Sequence, residues 1–246
     1  MKAVRMTEGP LVRNIIAFAI PIALSGMIQQ LFNAADTAVV GRFADANALA
    51  AVGINGELIA FFICLSGGLA IGSNVLIANA IGRKNESGIS LAVHSSLCLA
   101  LLAGVLGMIA GLLVADPLLR LIDTPSSIFH LASVYLKLYF LGYPFLLIYD
   151  FGSAILRSHG DSRSPFLILL AAGVVNVVLN LVFVILFHMD VAGVAIATDI
   201  ATALSAVFVV YRLAGEEGPF RFRMGRLTLH GPSVSRILTI GIPAAL

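Results

Sequence analysis

The 246-residue chain is 59% hydrophobic and only 11% charged, where a soluble domain carries roughly 25% charged residues. A water-soluble globular protein is therefore excluded, and an all-α integral membrane protein that crosses the bilayer several times is expected. The net charge of +2 comes from basic residues between apolar runs, where they set topology and meet anionic headgroups, and nothing in their arrangement suits nucleic acid.

Six spans are expected, at about 14–40, 48–82, 88–115, 134–156, 165–188 and 191–211. The first opens with Asn14–Ala35, 22 residues without a charged side chain, and about 20 suffice to cross the hydrocarbon core. It is too long for a signal-peptide core and lacks a small-residue cleavage site, so it reads as a retained helix. Asp36 ends the run. Ser25, Gln29, Asn33 and Asp36 follow at steps of four, four and three, which stacks them on one helical face. Lipid cannot solvate that face, so it should look into a protein interior or a watered cavity. The plainer reading keeps Asp36 near the outer interface, satisfied by water or Arg42.

The second and third spans hold Leu58–Gly82 and Ser87–Ala115, 25 and 29 residues free of charge. Gly67, Gly68 and Gly72, and then Gly104, Gly107 and Gly111, read as small-residue packing faces. Cys64 and Cys98 lie within spans and read as small buried apolar residues, not as a disulfide or metal pair. In the fourth span Asp150 precedes Arg157 by seven residues on the same face, which suggests a structural ion pair. Pro21 and Pro144 should kink or loosen their helices. His94 and His159 fall at helix ends and read as interfacial.

The fifth span, Ser164–Met189, has 26 uncharged residues. Asn176 and Asn180 are four apart on one face, and Thr198 and Thr202 form a similar pair on the sixth span beside Asp199. Asn180 and Thr198 each lie about eight residues from the hairpin at His188–Asp190, and Asp36 lies five before Gly41. All three should share a depth in the outer half of the membrane. Carboxylate, amide and hydroxyl oxygens with one formal charge suit Na⁺, or a proton held by the carboxyl alone. The competing reading of the two Asn is interhelical hydrogen bonding.

Twelve basic residues, Lys2, Arg5, Arg13, Arg83, Lys84, Arg157, Arg163, Arg212, Arg221, Arg223, Arg226 and Arg236, fall on one side of these spans. Three, Arg42, Arg120 and Lys137, fall on the other. The positive-inside rule then puts the N-terminus in the cytoplasm. GPLVRNIIAFAIPIAL from Gly9 matches GPSVSRILTIGIPAAL from Gly231 at an offset of 222 residues, which reads as the start of a second copy. Six spans separate the copies, so the repeats should be parallel. Residues 212–235 then form a cytoplasmic inter-lobe linker, either solvated or lying along the headgroups through FRFRMGRL, and 236–246 the truncated start of a seventh helix.

IPIALSGMIQQLFNAADTAVVGRF, ALAAVG, GLAIGSNVLIANAIGRKN, DPLLRLIDTP, YFLGYPFLLIYDFGSAILRSHGDSRSP and GVAIAT follow one another along the chain. This ordered set resembles the multidrug and toxic compound extrusion (MATE) family. The resemblance implies a six-transmembrane-helix lobe of a twelve-helix, two-lobed transporter with parallel repeats around a central cleft. It implies an antiporter exporting cationic, lipophilic small molecules across the plasma membrane, the inner membrane in a bacterium, by alternating access. Its partners would be the lipid bilayer and the missing C-terminal lobe, and it would need no cofactor beyond a coupling ion, Na⁺ or H⁺.

The family's first-lobe cation site would map onto Asp36, Asn176, Asn180 and Thr198, with Na⁺ as the metal it would hold. Asp199, Asn33, Gln29 and Asp150 are additional candidates. Some relatives are acidic where Asn180 stands, and Asp199 either restores that charge or faces a neighbouring helix. Asp150 stands where an Asn is common.

Rival readings are a flippase-type carrier for a lipid-linked solute, an intramembrane aspartyl protease, and a single lobe inactive on its own. A flippase for anionic headgroups should have a basic interior, whereas the charges within the spans are dominated by Asp36, Asp150 and Asp199, which favours cationic cargo. No HExxH or GxSxG motif is present and parallel repeats are typical of carriers, so an enzyme is not expected.

Overall fold

The computed structural model describes residues 11–245; Lys2, Arg5, the Gly9–Pro10 opening of the first repeat copy and the Arg13 side chain lie outside the described residues. Seven α-helices follow in order: α1 (Leu11–Phe43), α2 (Ala46–Gly82), α3 (Glu86–Leu121), α4 (Ser126–Ser158), α5 (Arg163–Leu181), α6 (Asp190–Ala214) and α7 (Gly231–Ala245). A π-helical turn, Val182–Leu186, extends α5. The first six are long and apolar enough to cross a membrane.

Most of these helices outrun the apolar stretch expected for them, because polar residues at their ends continue the backbone hydrogen-bond ladder into the headgroup layer and cap it. Asp45 accepts from Ala48 N at 2.9 Å to start α2, and Asn85 accepts from Gly88 N at 2.9 Å to start α3. Asp161 accepts from Ser164 N at 2.9 Å at the start of α5. Each bond satisfies an amide that has no partner within the helix. The chain reverses at Lys84, Asp123 and His188, which adopt φ of 53°, 52° and 54°.

α4 runs through the centre, packed against α2, α3 and α6, while α5 bridges α1 and α6, and α7 lies on α2. Phe140, Leu136, Leu147, Phe151, Ile155 and Leu156 of α4 are all fully buried. Lipid tails are as apolar as leucine, so what holds these helices together is close packing more than escape from water. The α3–α4 seam uses the expected glycines: a methyl group on Gly104 would meet Pro144 Cα at 2.6 Å, and Gly107 and Gly111 lie against the rings of Tyr143 and Phe140. Gly68 and Gly72 approach the α7 backbone at Ala245 and Ile237, whereas Gly67 has open space beside it. Lys137 bonds Asp116 at 2.7 Å across the α3–α4 seam.

Three expectations are corrected. Cys64 is exposed on the bundle surface and Cys98 is half-buried, both free; the outer surface of a membrane bundle is itself apolar, so an apolar run does not distinguish the two positions. Arg212 belongs to α6 and residues 231–235 to α7, which shortens the connection to 215–230. That connection carries two 3₁₀ turns, Gly218–Phe220 and Met224–Arg226, and leaves Arg221, Arg223, Met224 and Arg226 exposed. Phe222 is buried against His94, and His94 is only 2% exposed, not interfacial.

The segment is pinned by the backbone. Arg223 N donates to His94 Nε2 at 3.1 Å, Phe222 N to Leu213 O at 3.0 Å, and His230 N to Ser95 Oγ at 3.3 Å. Arg212 adds ion pairs to Glu216 at 2.5 Å and Asp161 at 3.5 Å. His94→Ala should therefore loosen 215–230. Losing that acceptor costs about 1 kcal/mol, so tryptic cleavage after Arg221, Arg223 and Arg226 should quicken several-fold. An unchanged rate would mean that Phe222 packing alone holds the segment.

Candidate functional site

Asp36 sits two turns before the end of α1 and is only 9% exposed. Its carboxylate accepts from Asn180 Nδ2 of α5 at Oδ1 and from Thr198 Oγ1 of α6, 3.4 Å away, at Oδ2. Asn180 Nδ2 is shared with Asn176 Oδ1 at 3.3 Å, and Asn176 Nδ2 donates to Thr198 Oγ1 at 3.1 Å. The four residues singled out in the sequence thus form one hydrogen-bonded group drawn from three helices. The depth argument works because α5 and α6 are antiparallel neighbours reversing at His188, and α1 packs along α5.

The group leaves one acceptor oxygen unused. Asn180 is fully buried, and its Oδ1 has no hydrogen-bond partner. A buried amide oxygen left unpaired is costly. Two carboxylate oxygens, two amide oxygens and one hydroxyl in a single cluster form a hard, singly charged donor set of the kind Na⁺ accepts. Among the described residues there is no cluster of three His, Cys, Asp or Glu side chains, so these ligands would not select a transition metal.

The group opens into a cleft between α1, α5 and α6. Gln29 and Asn33 line it from α1, and Thr202 and Ser205 from α6. Two polar stripes face each other there, at 29, 33 and 36 on one helix and 198, 202 and 205 on the other. Ser205 was not singled out from the sequence, although its spacing from Thr202 was the signal. Neither Gln29 nor Asn33 bonds Asp36. Ser25 is not part of the wall: its Oγ donates to Pro21 O at 2.7 Å.

The other two acids lie elsewhere. Asp199 turns from Thr198 toward α4, where its carboxylate lies against Gly142 in a narrow space lined by Tyr139 and Tyr143. Asp150 accepts from Ser66 Oγ at 2.5 Å and makes no ion pair with Arg157 within the described residues. Helical spacing placed the two on one face, but the seven-residue offset leaves them about 10 Å apart along the axis, and Ser66 of α2 reaches the carboxylate first.

The family model MatE matches residues 21–182, which contain Asp36, Asn176 and Asn180. The chain belongs to the MATE family. It is 29% identical to a probable multidrug resistance protein, YpnP, of Bacillus subtilis, over all of this chain and 55% of that one. It is 28% identical to the probable multidrug resistance protein NorM of Thermotoga maritima, over 95% of this chain and 51% of that one. A crystal structure of a MATE protein in the bent conformation superposes with a TM-score of 0.91 at 26% identity, covering all of this chain and 55% of the other. The chain therefore spans about half the length of the relatives it matches. MATE proteins are transporters, and this one is a multi-pass membrane protein of six spanning helices.

Proposed function

We propose that this chain is the N-terminal lobe of a cation-coupled antiporter that exports cationic, lipophilic small molecules across the plasma membrane by alternating access, with its N-terminus in the cytoplasm. The observation that carries this reading is the buried Asp36 group with its unpaired Asn180 oxygen. A carboxylate kept within a membrane bundle by neutral ligands from two other helices is a site that a single positive charge completes. Asp36, Asn176, Asn180 and Thr198 would hold Na⁺, or Asp36 alone would hold a proton.

Coupling follows from the same arrangement. Binding a cation neutralises Asp36 and draws α5 and α6 onto α1; releasing it restores the charge and loosens them. A change in how the three helices pack is the differential interaction an ion needs in order to shift the lobe between two states. The second, parallel lobe would supply the surface against which this one moves. The basic turns at Arg83–Lys84 and Arg157–Arg163 and the connection 215–230 join helices at one end of the bundle, which supports the cytoplasmic assignment of that end. The names of the relatives support drugs as cargo.

Transport into vesicles by the two-lobed protein, with a Na⁺ or a proton gradient imposed separately, tests the reading. Export driven by neither gradient would overturn it. Asn180→Ala and Thr198→Ala should each weaken coupling without abolishing it, because each removes one neutral oxygen and leaves the carboxylate. The half-saturating cation concentration should rise roughly 5–30-fold for each, the effect of about 1–2 kcal/mol. No change in either variant would make these residues interhelical glue only.

A further inference from the structure

The connection 215–230 is pinned well below the tip of α3. The uncharged run Ser87–Ala115 holds 29 residues, about nine more than the roughly 20 that cross the hydrocarbon core. With the core centred on that run, four or five residues stand outside it at each end. His94 and Ser95, which hold Arg223 N and His230 N, therefore lie within a turn of the core's edge. Side chains of α3 lean toward its N-terminus, here the basic end of the bundle, so what they hold sits in the headgroup layer. The connection lies alongside the membrane surface and does not hang free into the cytoplasm.

Its exposed face has a definite make-up. Arg221 and Arg223 have extended backbones, so successive side chains alternate, and both arginines lie opposite the buried Phe222. Arg226 N bonds Arg223 O at 2.9 Å, and a turn closed this way brings the two Cα atoms within about 7 Å. All three arginines are exposed. None forms an ion pair among the described residues, where Glu216 and Asp161 both go to Arg212. Beside them Met224 is 79% and Leu229 53% exposed. Three unpaired cations around an exposed thioether suit the boundary between phosphates and acyl chains.

We propose that Arg221, Arg223 and Arg226 form a docking face for anionic phospholipid, with Met224 in the acyl boundary. Guanidinium groups take phosphate oxygens through charge-assisted bonds. What distinguishes the face from a loose basic loop is that Phe222 and the His94 bond fix its direction before any lipid arrives, which lowers the ordering cost of binding. The inference is independent of what the lobe transports and of its coupling ion.

The chain has no tryptophan, so Met224→Trp installs a single emitter. The 246-residue variant is placed in vesicles of equimolar phosphatidylglycerol and phosphatidylcholine, with the acyl chains of one lipid at a time brominated near the headgroup. Quenching should give a preference for phosphatidylglycerol of at least roughly tenfold, since each arginine near an anionic surface contributes about fivefold. Leu106→Trp, on the exposed side of mid-α3, should show no preference. Replacing the three arginines with Gln should bring position 224 to parity. Phe222→Ala keeps every charge but frees the segment, and should lower the preference at least threefold. Inorganic phosphate should not displace the lipid.

Four results would overturn the proposal: no quenching at position 224, equal quenching by both lipids, a preference that survives the triple Gln variant, or one that phosphate abolishes. A preference untouched by Phe222→Ala would do the same, leaving only diffuse charge attraction. Loss of the preference in the two-lobed protein would mean that the second lobe covers this face, and would remove it as a lipid site of the transporter.

Discussion

Asp36→Asn, made in the two-lobed protein, should reduce coupled export to background while the protein still inserts at normal abundance. The substitution keeps the shape of the side chain and an acceptor oxygen for Asn180, so the packing of α1 on α5 survives. What disappears is the charge. The remaining amide and hydroxyl oxygens hold a monovalent ion only weakly, and an amide has no proton to exchange, so either choice of coupling ion fails. Efflux of a fluorescent lipophilic cation from everted vesicles, normalised to membrane abundance, reads the effect. Wild-type efflux from this variant would sink the coupling-site proposal whatever the fate of Asn180 and Thr198.

Gly104→Val should be the most damaging of the simple packing substitutions. A Cβ at Gly104 would lie 2.6 Å from Pro144 Cα, an atom of the backbone that cannot swing aside as a side chain would. Pro144 is itself buried in the central helix, so α3 would have to back away from α4 along the whole seam where Gly107 and Gly111 seat Tyr143 and Phe140. Overpacking of this kind costs about 1–3 kcal/mol, and separating the seam adds the lost contacts of two aromatic rings. Thermal unfolding in detergent should show a clear fall in midpoint for Gly104→Val and almost none for Gly67→Ala, where nothing lies within 4 Å of the new methyl. Equal midpoints would mean that the seam is looser than its geometry indicates.

Much of this arrangement is legible in the residues. Long uncharged runs mark the helices because a bilayer leaves the chain few other options, and the number of residues from each hairpin gives depth, which is how Asp36, Asn180 and Thr198 could be brought to one level before any contact was known. Spacing identifies a face; it does not identify what the face meets. Asp150 and Arg157 share a face, yet Ser66, 84 residues away in the chain, is the partner of the carboxylate. Asp199 follows Thr198 directly, and one step of about 100° around the helix turns it from α1 and α5 toward α4. The burial of His94 was not legible for a further reason: it depends on a polar connection folding back through Phe222 and Arg223, and polar composition alone reads as solvated.

The π-helical turn after α5 bears on how chains of this kind tolerate changes in length. Beyond Asn180 the ladder widens step by step: Phe187 N bonds Val182 O, five residues back, at 3.3 Å, and Met189 N bonds Phe183 O, six back, at 3.0 Å. A residue has in effect been absorbed into the outer end of the helix without a loop forming. Because the widening begins after Asn180, everything that is rotated by it lies downstream, and the two asparagines keep their bearing toward α1 and α6. One residue gained or lost between Val182 and Phe187 would leave Asn176 and Asn180 in register with Asp36 and pass the change to the reversal at His188, on the far side of which Thr198 reaches the same group from α6.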